Sequence, residues 1–182
     1  MDSEFLKILP DIIKENLDIL FVGINPSIAS MKTSHHYAGK SNSFWKCFNA
    51  SKIVPLENSL GFTDDYRLLK YGIGFTNICS RATVTANDLS KEELEVSVGN
   101  LKEKIVKYRP KIVVFNGILI YKTTFKRKLK ITGLQEFPYA GTNSILFVMP
   151  STSGKNAKFP KFNDKLIFFL KLKEIRDNLY NN

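Results

Sequence analysis

The sequence predicts an α/β fold, a three-layer sandwich with a mostly parallel central sheet and helices on both faces. Apolar runs of strand length stand at Ile19-Leu-Phe-Val22, Gly72-Ile-Gly-Phe-Thr-Asn77, Lys111-Ile-Val-Val-Phe-Asn116 and Ser144-Ile-Leu-Phe-Val-Met149. Stretches of helical periodicity separate them, as crossover connections between parallel strands require. Each run ends in a neutral hydrogen-bonding residue (Asn25, Asn77, Asn116 and, after Pro150, Ser151), which gathers uncharged groups at the carboxyl edge, where such sheets hold their ligands.

Taken in order, Phe5, Leu6, Leu9, Ile12, Ile13 and Leu17 recur at helical spacing, with Pro10 bending or restarting that helix. The first strand covers about 18–23, and a long polar loop, 26–42, follows it. Asn42 can cap a helix beginning at Ser43-Phe44-Trp45, and Thr63 with Asp64 can open a short one toward Tyr71. After a second strand, about 73–78, comes a Thr-rich loop, 79–89. Ser90-Lys-Glu-Glu93 is a capping box that starts a long helix with Leu94, Val98, Leu101, Ile105 and Tyr108 on one face. Pro110 closes it and the third strand, 111–116, begins at once. Gly117 to about Lys128 reads as helix, Leu134 to Phe137 as an edge strand and 144–149 as the fourth core strand. Phe162, Leu166, Phe169, Leu172, Ile175 and Leu179 mark a last amphipathic helix.

At 182 residues with 43% apolar content, the chain fits one domain, 1–182, with a full core and no repeat or linker. The formal charge of +10 is unevenly spread. Residues 1–90 hold 9 Lys+Arg against 9 Asp+Glu, and residues 91–182 hold 18 against 8. A basic face attracts polyanions, nucleic acid above all, although a merely soluble basic protein meets the same count. Residues 1–20 lack a basic-then-apolar signal pattern and no apolar run approaches a bilayer span, so the expectation is an intracellular protein with no membrane contact.

Several chemistries lack their residues. Gly154-Lys155 has neither the first glycine nor the Ser/Thr of a phosphate loop, and no dinucleotide G-x-G-x-x-G follows a strand. Cys47 and Cys79 are isolated, and His35-His36 have no partner at ligand spacing, which leaves no metal site and no cofactor. Ser151 and Ser153 lie outside any nucleophile elbow. Loop 150–160 nevertheless combines hydroxyls with Lys155 and Lys158, groups suited to phosphate oxygens. The run Lys122, Lys126, Arg127, Lys128, Lys130 is a solvated helix end or an extension of the same footprint. Trp45 reads as core, and Tyr37, between His36 and Ala38-Gly39, as an aromatic face for a base. Any one of Asn25, Asn77 and Asn116 could simply cap a turn.

The blocks Gly23-Ile-Asn-Pro26, His35-His-Tyr37 with Asn42-Ser-Phe-Trp-Lys46, Gly72-Ile-Gly-Phe-Thr-Asn77, Val114-Phe-Asn-Gly117 and Met149-Pro-Ser-Thr-Ser153 occur in one order over nearly the whole chain. Together they resemble the thymine/uracil mismatch-specific DNA glycosylases, a branch of the uracil-DNA glycosylase superfamily. The resemblance implies that Asn25 positions the attacking water and Thr83 assists it. It implies a base pocket of Gly23, Ile24, His36, Tyr37, Asn42 and Asn77. It also implies DNA contacts from Ser151, Ser153, Lys155 and Asn116, with Lys155 where the family has a duplex-entering Arg, and the composition of loop 150–160 adds Lys158 to them. There are departures: Ser27 follows Gly-Ile-Asn-Pro, Ser30 replaces a small residue, and Ala38 and Lys40 replace prolines around Gly39. The two serines are expected to narrow the pocket or alter thymine acceptance. Lys155 lacks the planar fork of Arg.

The implied function is monofunctional hydrolysis of the N-glycosidic bond of mismatched uracil or thymine, or of modified cytosine, in double-stranded DNA, for base excision repair. The implied protein is a monomer without cofactor, nuclear by inference from its substrate. A non-catalytic mismatch-DNA-binding protein of the same fold and a small-molecule α/β hydrolase remain as alternatives.

Overall fold

The computed structural model describes residues 8–181. A five-stranded sheet runs in the order β2-β1-β3-β5-β4, with β1 Ile19–Gly23, β2 Ile73–Asn77, β3 Ile112–Asn116, β4 Gly133–Leu134 and β5 Ile145–Met149. The first three pairings are parallel, and β4 closes the edge antiparallel to β5. The expected edge strand 134–137 shrinks to two residues, extended by a hydrogen bond from Gln135 N–H to the Leu146 carbonyl (2.9 Å).

Alternate side chains along each strand enter opposite layers. On one face Ile19, Phe21, Ile73, Phe75, Ile112, Val114 and Phe147 meet helix α2 (Phe44–Ser51) and helix α5 (Phe162–Asn178). On the other, Leu20, Val22, Val113, Phe115, Leu146 and Val148 meet α3 (Lys91–Tyr108) and α4 (Ile118–Phe125). The three-layer sandwich expected from the sequence is therefore what forms. Ser90 Oγ accepts from Glu93 N–H at 3.1 Å and caps α3 as its sequence signature requires. Trp45 is core, 7% exposed, its indole donating to the His36 carbonyl at 3.2 Å.

Three expectations need correction. The N-terminal helix does not form over the described part of its span. Leu9, Ile12, Ile13 and Leu17 lie on extended and turning backbone, and Phe5 and Leu6 fall outside the described residues. Pro10 cannot join a helical ladder, and Ile12 instead exchanges both backbone hydrogen bonds with Phe75, at 2.9 and 2.8 Å. Gly74 permits this approach, because a β-carbon there would collide with the Ile12 carbonyl. The polar loop 26–42 contains a short helix, α1 (Ile28–Thr33), capped by Ser27 Oγ accepting from Ser30 N–H at 3.1 Å. The helix expected from Thr63 is a 3₁₀ helix, Phe62–Tyr71, whose start is fixed by Asp64 accepting from Gly61 N–H at 2.9 Å.

Successive connections leave β1 toward β2 on one side and reach β3 on the other. The crevice between the carboxyl ends of β1 and β3 is thus the topological switch point of the sheet.

Candidate active site

At that switch point lies a cleft of about 680 Å³. Every residue expected at the site lines it: Gly23, Ile24, Asn25, His36, Tyr37, Asn42, Asn77, Thr83, Asn116, Ser151, Ser153, Lys155 and Lys158. So do Ser27, Ser30 and Lys122, and no Asp or Glu lines it among the described residues.

Asn25 sits just past β1. Its Nδ2 donates to the Arg81 carbonyl at 2.9 Å and to Thr83 Oγ1 at 2.6 Å. A carbonyl only accepts, so the first contact fixes which end of the amide faces loop 79–89. Thr83, 7% exposed, passes its own proton to the Thr85 carbonyl at 2.6 Å. Both Nδ2 protons are therefore spent, and Oδ1 is left as an acceptor. The loop is held in turn by Arg81, whose guanidinium grips Glu93 on α3 with two contacts of 2.8 Å and the Asp88 carbonyl at 2.9 Å. Arg81 holds the Glu93 carboxyl down to about 2. Sequence reasoning missed this brace.

Asn77 ends β2 directly over Gly23, where a β-carbon would overlap its Oδ1. Among the described residues its carboxamide has no hydrogen-bond partner, so both ends stay available to a ligand. The Tyr37 ring stacks on Phe44 (centroids 4.1 Å, 8° between planes), which leaves a base only its other face or its edge. Burial pushes the Tyr37 hydroxyl well above the usual phenol range, with Asn116 opposing the shift. His36, 3% exposed, donates from Nε2 to the Pro10 carbonyl at 3.0 Å and stacks on Phe75. Burial lowers its pKa, against the pull of Pro10 and of Asp65, so the ring is neutral at pH 7. The N-cap of α2 is Ser43 rather than Asn42, and Asn42 one residue earlier supports the helix start by accepting from Phe44 N–H at Oδ1, 3.0 Å.

Asn116 is buried and pairs with Thr152 twice: Nδ2 donates to Thr152 Oγ1 at 2.9 Å, and Oδ1 accepts from Thr152 N–H at 3.0 Å. It shapes loop 150–156 from below. In that loop Ser151 Oγ accepts from Ser153 N–H and Ser153 Oγ from Lys155 N–H, both at 3.2 Å. Neither hydroxyl proton has an acceptor among the described residues, so both can point outward, as phosphate oxygens require. Gly154 lets the loop press onto Ser41, whose Cβ would lie 2.5 Å from an added β-carbon. Lys155 Nζ crosses the cleft to the Val84 carbonyl at 2.9 Å. The basic run divides: Lys122 lines the cleft and Lys126 pairs with Glu95. Arg127 lies over the Phe137 ring at 4.3 Å and donates to the Tyr121 hydroxyl at 3.0 Å.

Among the described residues no cluster of His, Cys, Asp or Glu could hold a metal ion, and no helix is long and apolar enough to cross a membrane. Fold and site define an open α/β protein whose switch-point crevice is lined by amides, hydroxyls and lysines and, among the described residues, by no carboxylate. The profile of the Uracil DNA glycosylase superfamily matches residues 10–172, and the chain belongs to that family. It is 35% identical over 167 residues to the G/U mismatch-specific uracil DNA glycosylase of Schizosaccharomyces pombe, covering 87% of this chain and 51% of that protein. The chain thus spans about half the length of this relative. A solution NMR structure of a candidate uracil DNA glycosylase from Methanosarcina acetivorans shares the fold, with TM-score 0.54 and 22% identity over 92% of this chain and 98% of that one.

Proposed function

We propose that this chain is a monofunctional DNA glycosylase that releases mismatched uracil or thymine, or modified cytosine, from double-stranded DNA. The observation that carries this reading is the Asn25 carboxamide, whose two N–H groups are consumed by Arg81 and Thr83 while its carbonyl oxygen has no partner among the described residues and faces the cleft. The mismatch specificity in the name of the fission-yeast relative supports the choice of substrate.

A stacked base is out of reach, so the nucleotide is first extruded, at a cost of about a few kcal/mol that is least for a mismatched pair. Cleavage of the N-glycosidic bond leaves its electron pair on the base and positive charge on the sugar. Asn77, whose carboxamide has no other engagement among the described residues, donates to the departing base. Asn25 Oδ1 accepts a hydrogen bond from a water and aims its oxygen at C1′. The water adds there and releases its proton to solvent or to the base. An amide cannot act as a base near neutral pH, and among the described residues no carboxylate lines the cleft to replace it. The sugar cation needs orientation of its nucleophile more than activation, unlike substrates cleaved by paired carboxylates.

The test is base release from duplexes holding G·U, G·T and modified cytosines, read as alkali-labile abasic sites. Release by the wild-type chain and its loss in Asn25→Ala, with duplex binding retained, is the expected result. Binding without release in the wild type would make this a mismatch-binding protein instead.

A further inference from the structure

Lys165 is 4% exposed, on the first turns of α5. It stands three, four and seven residues before the buried Phe168, Phe169 and Leu172, and so occupies the apolar stripe of that helix. Its one hydrogen bond among the described residues runs from Nζ to the Ser153 carbonyl at 3.3 Å, and no described carboxylate comes within ion-pair distance. A lysine buried without a counter-charge is costly, and near a helix N-terminus it also opposes the helix dipole. The fold alone gives no reason to keep it. Ser153, whose carbonyl Lys165 holds, and Ser151 in the same loop each carry a hydroxyl proton with no acceptor among the described residues.

We propose that Lys165 is the buried cation of a backbone-phosphate subsite on loop 150–156, a fixed charge behind the Ser151 and Ser153 hydroxyls that is neutralised when a DNA phosphate docks on them. The proposal rests on the glycosylase reading and adds a residue to its DNA-binding surface. Lys165 does not line the cleft, so it acts through the loop: it orients Ser153 through its carbonyl and supplies field from a low-dielectric site where solvent screens it little. Exposed Lys155 and Lys158, by contrast, act in water.

The experiment compares wild type, Lys165→Met and Lys165→Arg. It measures melting temperature without DNA, affinity for a G·U duplex made uncleavable by a 2′-fluoro sugar, and single-turnover base release at saturating cleavable duplex. Lys165→Met removes charge at similar volume. It should weaken binding on the order of tenfold, as loss of a charge-assisted contact does. Its melting temperature should hold or rise, because an uncompensated charge has left the interior. The rate at saturation should stay at the wild-type value, and Lys165→Arg should restore most of the affinity. A neutral methylphosphonate at the docked phosphate should weaken wild type but add little to Lys165→Met. Unchanged affinity in Lys165→Met overturns the proposal. So does a lowered melting temperature with equally weak binding in Lys165→Arg, which would make Lys165 a brace for the loop alone. If wild type neither binds nor cleaves the duplex, the glycosylase reading itself fails.

Discussion

Asn25 Nδ2 donates to Thr83 Oγ1 across 2.6 Å, and this contact ties the end of β1 to a loop 58 residues further on. Because Thr83 gives its own proton to Thr85, it can only accept from Asn25 and from a ligand. Thr83 is therefore a positioning residue that locks the amide orientation. Thr83→Val, which keeps the shape and removes the acceptor, should lower single-turnover base release about tenfold with duplex affinity unchanged, and Thr83→Ser should recover it. Asn25→Ala should cost about 10²-fold or more, the scale of losing nucleophile alignment. Equal rates for Thr83→Val and wild type would show that Arg81 alone suffices to orient the amide.

Gly23 and Gly74 share the first two strands but should fail differently when replaced by alanine. At position 23 the new methyl meets the end of the Asn77 side chain, which can swing away at the expense of its place over the base. Gly23→Ala should melt near wild type yet lose at least about tenfold in base release, since a misplacement near 1 Å can cost more. At position 74 the methyl meets the Ile12 carbonyl and the Leu17 side chain, which are fixed by backbone pairing and core packing. Gly74→Ala should lose about 1–3 kcal/mol in denaturant unfolding. A stability loss at Gly23 equal to that at Gly74 would contradict the distinction.

What the sequence made legible follows from which atoms carry the work. Asn25, Asn77 and Asn116 announce themselves as amides closing apolar runs, and all three reach one cleft. The Arg81 contact with Asn25 is made by a backbone carbonyl, which has no residue signature. Lys165 did leave a signal, a lysine in phase with Phe168, Phe169 and Leu172, but counting the stripe from Phe162 and Leu166 hides it. The N-terminal segment has helical spacing, yet pairing with the edge of β2 satisfies more backbone than a helix interrupted at Pro10 could. Local periodicity cannot weigh a partner more than 60 residues away.

The two serines that depart from the family pattern form one unit. Ser27 Oγ accepts from Ser30 N–H, Ser30 Oγ accepts from Ala38 N–H at 3.2 Å, and the hydroxyls bond each other at 3.1 Å. Two hydroxyl protons serve one mutual bond, so one donor remains at the pocket wall. A polar wall disfavours a methyl group that cannot accept from it. Ser30→Ala should raise release of thymine relative to uracil by roughly three- to tenfold, within the range for one small group in a pocket. A panel of G·T and G·U duplexes reads this ratio, and an unchanged ratio would place Ser30 away from the base edge that bears the methyl.

Asp18, 4% exposed, is the anchor of the C-terminal helix and sets how the protein answers to acid. Burial alone would raise its pKa, but Tyr180 (2.6 Å), Lys111 (3.0 Å) and Arg176 (3.2 Å) outweigh it and bring the carboxyl below the usual range. Its folded pKa thus lies below the unfolded value of about 3.9. The linked stability is fully present above that value and is lost as pH falls through the folded pKa. At pH 7, Asp18→Asn leaves Arg176 (14% exposed side chain) beside a neutral amide and should cost about 2–4 kcal/mol. Wild type and variant should converge once pH has fallen through the folded pKa, since the wild-type carboxyl is then protonated too. Urea melts of both proteins between pH 2 and pH 7 test the sign directly. A gap that stays constant, or widens toward acid, would mean that Asp18 does not stabilise the fold through its charge.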